Sequence, residues 1–229
     1  TKALEAYQEA GEDPKALECI PMLKRSDIKR EAAKIINEEL TVDDSLFLYH
    51  DVCTNGIGYV DLMFKTDSIA PEQIPYLGLL KSVLGYVDTE NYTYGELFYE
   101  INANTGGINC GVEVFDRADS TEEFQAMFSV RGKALYTKMD FLFKMIGEIL
   151  NSSKLEDTKR LYEIVASVKS RAQVNLTGAG HSTAVLRAAA YSSPMAAFQD
   201  EMAGIGYYQF IEKLEYDFEQ RKEETVEEL

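Results

Sequence analysis

The chain has 229 residues, 45% hydrophobic and 11% aromatic, with 39 acidic against 23 basic side chains and a formal net charge of −16. That length and composition describe a globular chain with room for a sizeable core, and they exclude a disordered segment; no apolar run approaches the roughly 18–20 residues of a membrane span. The charge argues against binding a phosphate backbone, which needs clustered Lys and Arg, and is compatible with solubility or with attracting basic peptides. Cys19, Cys53 and Cys110 are odd in number, scattered and without Cys-x-x-Cys spacing. They suit a reduced cytoplasmic setting better than a disulfide framework. No basic-then-apolar leader is visible, there is no initiator Met, and residues 1–10 already read as helix, so the chain is expected to be a piece of a larger protein.

Residues 1–44 read as helical, acidic and twice broken. Pro14 starts a short helix, Cys19-Ile20-Pro21-Met22-Leu23 leads into Ser26-Asp27-Ile28, and Asp27 as a cap predicts a helix over 28–39. Thr54-Asn55-Gly56 predicts a hairpin between strands at 46–52 and 57–66, because Asn-Gly tolerates positive φ at both turn positions. In the second of these strands Val60, Leu62 and Phe64 alternate with Tyr59, Asp61, Met63 and Lys65, which makes one face apolar. Residues 73–85 read as a buried helix with Ile74, Leu77, Leu80, Val83 and Leu84 on one stripe. Thr93 and Glu96 form the capping box of the next helix, and Gly106 is placed to end it in the left-handed conformation.

Strands are predicted at 108–115 and 124–131. Cys110, Val112 and Val114 share one face, as do Phe124, Ala126, Phe128 and Val130, and Ser120–Glu123 reads as the approach to the second strand. From Leu135 the pattern is helical: 135–150, then 155–175 capped by Ser153 with Glu156, then a glycine break at Gly178-Ala179-Gly180-His181. That break lacks the Gly-Lys-Ser/Thr ending of a phosphate loop and follows no strand, so it reads as a corner. A helix over 182–191 comes next, another opens at Ser193-Pro194 and closes at Gly204, and a last one starts near Tyr207 with a Glu-rich end expected to fray.

Chemistry is sparse. His50 and His181 each lack a second ligand-type residue at metal spacing, no Gly-x-Ser-x-Gly elbow places a serine, and Cys53 and Cys110 read as inert core thiols. Asp43 and Asp44 read as exposed charge, since no oxygen-rich calcium loop surrounds them. The residues by themselves give an α+β fold, an antiparallel sheet with helices packed on one side, and no visible active site.

Several phrases go further. Ile74-Pro75-Tyr76-Leu77, Asn91-Tyr92-Thr93-Tyr94-Gly95-Glu96-Leu97 and Thr105-Gly106-Gly107, preceded by Ile20-Pro21-x-Leu23-x-x-Ser26-Asp27-Ile28, resemble the zinc-less half of pitrilysin/insulinase-type metallopeptidases, most closely the presequence-protease subfamily. The resemblance covers roughly residues 17–218. The zinc half of that family carries H-x-x-E-H on the corresponding helix. If the helices correspond, Tyr76 stands at the first His, Leu79 at the Glu and Leu80 at the second His. Tyr-Leu-Leu supplies neither a donor set for zinc nor a base, so the resemblance implies no metal in this chain and zinc elsewhere in the parent enzyme. Taken as residues, Tyr76, Leu79 and Leu80 read as core.

The resemblance implies the first domain of the C-terminal half, third of four homologous domains, in a clamshell zinc endopeptidase that degrades peptides in a closed chamber. Residues 1–44 would be the helical connector from the preceding half, 45–218 a single α+β domain without a zinc site, and 219–229 an acidic helix end. The implied partners are the N-terminal catalytic half and the final domain of the same polypeptide, and peptide substrates, with neither nucleic acid nor membrane; the chain by itself would be inactive. A non-peptidase structural subunit and a peptide-binding module of the same fold stay open, and an upstream H-x-x-E-H would select the peptidase. In the zinc half the strand after the motif helix pairs with substrate backbone. Gly107, Ile108, Asn109 and Gly111 match that position and are the candidate peptide contacts; the other reading is that the glycines end a helix and open an interior strand.

Overall fold

The computed structural model describes residues 2–11, 14–32 and 34–229, in two compact units, 1–53 and 54–229. The first holds helices α1 (Lys2–Glu9) and α2 (Pro14–Leu17), a 3₁₀ turn at Arg25–Asp27, and an antiparallel hairpin of β1 (Glu38–Val42) with β2 (Ser45–Tyr49). The helix expected over 28–39 is not there. Asp27 ends the 3₁₀ turn, its carboxylate accepting the Lys24 N–H at 2.8 Å, and the described residues between it and β1 carry no regular structure. Leu40-Thr41-Val42 lie opposite Ser45-Leu46-Phe47, and β-branched residues with a partner strand at hand favour the pleat over the helix. The turn between them is Asp43-Asp44, with φ of 48° and 64°. Asp is among the few non-glycine residues that occupy this region with any ease, so the acidic pair that read as mere surface charge is a two-residue hairpin turn.

The hairpin expected around Asn55-Gly56 is corrected by the same observation. Both residues take positive φ, 52° and 83°, and Ile57 N–H donates to the Thr54 carbonyl, so the turn forms. Its flanking strands pair elsewhere, β2 with β1, and β3 (Ile57–Lys65) with β5 (Ser120–Leu135). A turn signal fixes local backbone; the partner of each strand is decided by the faces available.

In the second unit β5 is central and antiparallel to β3 on one side and β4 (Ile108–Arg117) on the other, order β3-β5-β4. One face carries Val60, Leu62, Phe128, Val130, Cys110 and Val112 into a cluster with residues of α3 (Ile74–Val83), α4 (Tyr94–Asn104), α5 (Met139–Ser152) and α8 (Pro194–Ala203). The fold is α+β with these helices against one side of the sheet. On the other face Arg131 spans all three strands, Nε donating to Asp61 at 2.7 Å and Nη1 pairing with Glu113 at 3.1 Å.

A second cluster joins Leu79 and Val83 of α3 to Leu161, Val165 and Val168 of α6 (Thr158–Gly178), Tyr207, Ile211 and Leu214 of α9 (Ile205–Tyr216), and Phe218 of α10 (Phe218–Glu228). The predicted single stripe of α3 is therefore two: Leu77 and Leu80 face the sheet, Leu79 and Val83 face the helices. Between α6 and α8 runs α7 (Gly180–Ala189), after the glycine break.

Three local expectations change. Gly107, not Gly106, holds the left-handed backbone, φ 107°. Asp157, not Ser153, caps α6 by accepting the Arg160 N–H at 3.0 Å; the Ser153 hydroxyl donates to the Ile149 carbonyl at the end of α5. The acidic tail expected to fray is α10, which buries Phe218 and Thr225.

Candidate functional site

The motif helix α3 is built for packing. Leu79 is fully buried and Tyr76 is 5% exposed, with the Tyr76 ring edge-on to Phe210 at 4.8 Å between centroids. The Tyr76 hydroxyl donates to Glu224 Oε1 at 3.2 Å and accepts from Arg221 Nη2 at 2.8 Å, which ties α3 to α10. Burial pushes the Tyr76 phenol above its usual range, while the Arg221 hydrogen bond holds the Glu224 carboxyl below its own. Leu80 packs against the sheet cluster. With one phenol already engaged and two hydrocarbon side chains, these positions do not fit zinc. Among the described residues no three His, Cys, Asp or Glu side chains come together as a metal site.

The remaining candidates disperse. His50 Nδ1 lies 2.7 Å from the Ile36 carbonyl, and His181 is exposed on α7. Burial pushes the Cys110 thiol up to about 11, so it stays protonated and inert at neutral pH. Cys53, expected in the core, is exposed; it lies past the end of β2, a strand exposed along its whole length.

The second candidate region, Gly107–Gly111, is brought together on β4. Capping starts it: Thr93 N–H donates to Glu96 Oε2 at 2.9 Å and Glu96 N–H to Thr93 Oγ1 at 3.3 Å, so α4 begins where the capping box says. The preceding turn is pinned by Glu148, a residue sequence reasoning missed; its carboxylate accepts the Asn91 side chain at 2.9 and 3.1 Å and the Asn91 backbone N–H at 3.2 Å. At the far end Gly107 N–H donates to Thr105 Oγ1 at 3.0 Å. A β-carbon on Gly106 would stand 2.7 Å from the Lys133 side chain.

Among the described residues strand β4 pairs with β5 alone, so within this sheet it is an edge strand. Its phase can be read. Gly106 N–H donates to the Lys133 carbonyl at 2.7 Å and Lys133 N–H to the Gly107 carbonyl at 3.4 Å, while Tyr136 N–H donates to Gly56 on the opposite side of β5. Bonded and non-bonded pairs alternate along an antiparallel ladder, and the register is Asn109↔Arg131 and Gly111↔Ser129. Asn109 and Gly111 therefore direct backbone groups into the sheet; Ile108, Cys110 and Val112 direct theirs outward. Gly111 keeps the surface low, since a β-carbon there would lie 3.2 Å from Ser129 Oγ and 3.9 Å from Glu113 Oε1, beside the Arg131 pair.

Comparison with known proteins agrees with this architecture. Residues 1–214 match the family described as peptidase associated, for metallopeptidase subfamily 16C. The chain is 36% identical over 214 residues to Protein HypA of Clostridium perfringens, covering 93% of this chain and 22% of that protein. It is 28% identical over 215 residues to presequence protease 1, chloroplastic/mitochondrial, of Arabidopsis thaliana, covering 94% and 20%, and 29% identical to the mitochondrial presequence protease of Yarrowia lipolytica, covering 94% and 22%. The chain spans about a fifth of the length of these relatives. With the match running through both units, the chain belongs to this peptidase-associated family of subfamily 16C, as an associated domain of presequence-protease type.

Proposed function

We propose that this chain is the non-catalytic, chamber-forming domain of a zinc metalloendopeptidase, joined through 1–44 to a catalytic half that holds the zinc, and that β4 offers its free edge to peptide substrates. What carries the reading is the edge itself, a row of outward N–H and C=O groups at Ile108, Cys110 and Val112 in a domain whose relatives are named as proteases. Every peptide presents the same backbone row, so pairing with it suits loose sequence preference. Tyr76, Leu79 and Leu80, which face α10 and the two cores, support a structural role for the motif helix.

The test uses the longest polypeptide that carries this chain. Replacing the Ile108 N–H by an ester oxygen, through the α-hydroxy analogue of isoleucine, removes one outward donor and keeps the side chain. One hydrogen bond of about 1 kcal/mol predicts a KM raised about fivefold with kcat unchanged and only a small fall in melting temperature, since the Gly107 carbonyl becomes a weaker acceptor for Lys133 N–H. Asn109→Pro, by contrast, deletes a donor inside the ladder and is expected to destabilise the sheet. An unchanged KM for the Ile108 ester would overturn substrate pairing at β4. A cytoplasmic location belongs to the same reading, and cell fractionation decides between it and an organelle of the kind named for the plant and yeast relatives.

A further inference from the structure

A cavity of about 260 Å³ lies between α3, the later turns of α6, α7 and the corner from α8 to α9. In a chain with 39 acidic side chains, none of the residues lining it is acidic and two, Lys81 and Arg171, are cationic. Among the described residues neither has a carboxylate partner. The contrast is sharp for Arg171: the other five arginines of residues 54–229, at 117, 131, 160, 187 and 221, each form an ion pair.

Tyr207 supplies the second, independent sign. It is 6% exposed, and among the described residues its hydroxyl makes no well-aligned hydrogen bond, with only the Ser82 hydroxyl in reach. The Arg171 charge acts on that hydroxyl, and Tyr207, Ser82 and the two cations line the same cavity. Native proteins rarely leave such a donor unsatisfied. Burial also pushes the Lys81 ammonium below its usual range, as expected of a cation that lacks a counter-charge. The rest of the wall, with Met202 and Leu176, is hydrocarbon.

We propose that this cavity is a binding site for a small organic carboxylate bearing a short apolar group, the chemistry found at the C-terminal end of a peptide. Arg171 meets the carboxylate with its planar fork, Tyr207 turns its O–H from Ser82 to the ligand, Lys81 adds charge, and the apolar group rests on the Met202 side. A bare inorganic anion uses the cations and leaves the hydrocarbon wall facing water. The inference stands on the cavity alone and not on the peptidase reading.

Calorimetry on the longest polypeptide that carries this chain tests it, with N-acetyl-leucine as probe and its uncharged amide and inorganic phosphate as comparators. Saturable binding of the acid with a Kd on the order of 1 mM is expected. The amide is expected to bind at least tenfold more weakly, and so is phosphate. Arg171→Gln, at an exposed position, is expected to weaken the acid tenfold or more, and Tyr207→Phe about fivefold, the loss of one hydrogen bond. Circular dichroism checks that both variants fold. The proposal is overturned if the acid shows no saturable binding, if the amide or phosphate binds as tightly, or if a folded Arg171→Gln binds as the parent does.

Discussion

Leu79 stands, by the resemblance, at the glutamate of a zinc motif, and it is fully buried with Val83, Leu161 and Tyr207. Leu79→Glu places a carboxyl in that hydrocarbon with no partner, and the expected cost is several kcal/mol, reduced where the group takes up a proton. Chemical denaturation should show a much lower midpoint, and no peptidase activity should appear; a variant as stable as the parent would refute the placement of α3. The burial of Tyr76 and Leu79 was legible from their residue types and not from the apolar spacing, which marked Ile74, Leu77, Leu80, Val83 and Leu84. The hydrogen bonds of Tyr76 to Arg221 and Glu224 were not, since those partners lie 145 and 148 residues away and nothing local announces them. Arg171 and Tyr207 escaped notice for the same reason, as each belongs to an ordinary helix and only the packing sets them together.

Among the elements, some signals with a local mechanism survived, while the Asp27, Ser153 and Gly106 caps gave way to neighbouring residues or to a partner strand. The Thr93–Glu96 box, the Ser193-Pro194 start and the Asn55-Gly56 turn are where the sequence puts them. The pairing of β3 with β5, across some 70 residues, was beyond a turn signal. Glu148 shows how a long-range contact holds an element in place: hydrogen bonds from Thr89 and Asn91 keep its carboxyl below the ordinary value of 4.5. A carboxyl depressed in the folded state contributes fully above its unfolded value and loses that contribution as pH falls through the folded one. Glu148→Gln is therefore expected to cost about 1–2 kcal/mol at pH 7, and the difference from the parent should shrink in urea melts taken well below pH 4. A deficit that stayed constant across that range would assign the effect to packing.

For the whole molecule, the prediction is that this chain by itself holds no stoichiometric zinc and cleaves no peptide. Elemental analysis finding one tightly held zinc per chain, with peptidase activity lost to a chelator, would overturn it. What unifies residues 54–229 is α3, which lends one side to the sheet cluster and the other to the helical cluster. Its last covering piece is α10, whose Arg221 and Glu224 meet Tyr76, and whose Glu228 accepts from Gln73 at 2.9 Å. Order of synthesis then matters. A ribosome adding about 5–20 residues per second needs roughly 7–30 s to go from Tyr76 to Glu224. For a delay of that length the Tyr76 end of the central helix waits, after its own synthesis, for the cover that the eleven residues of α10 supply.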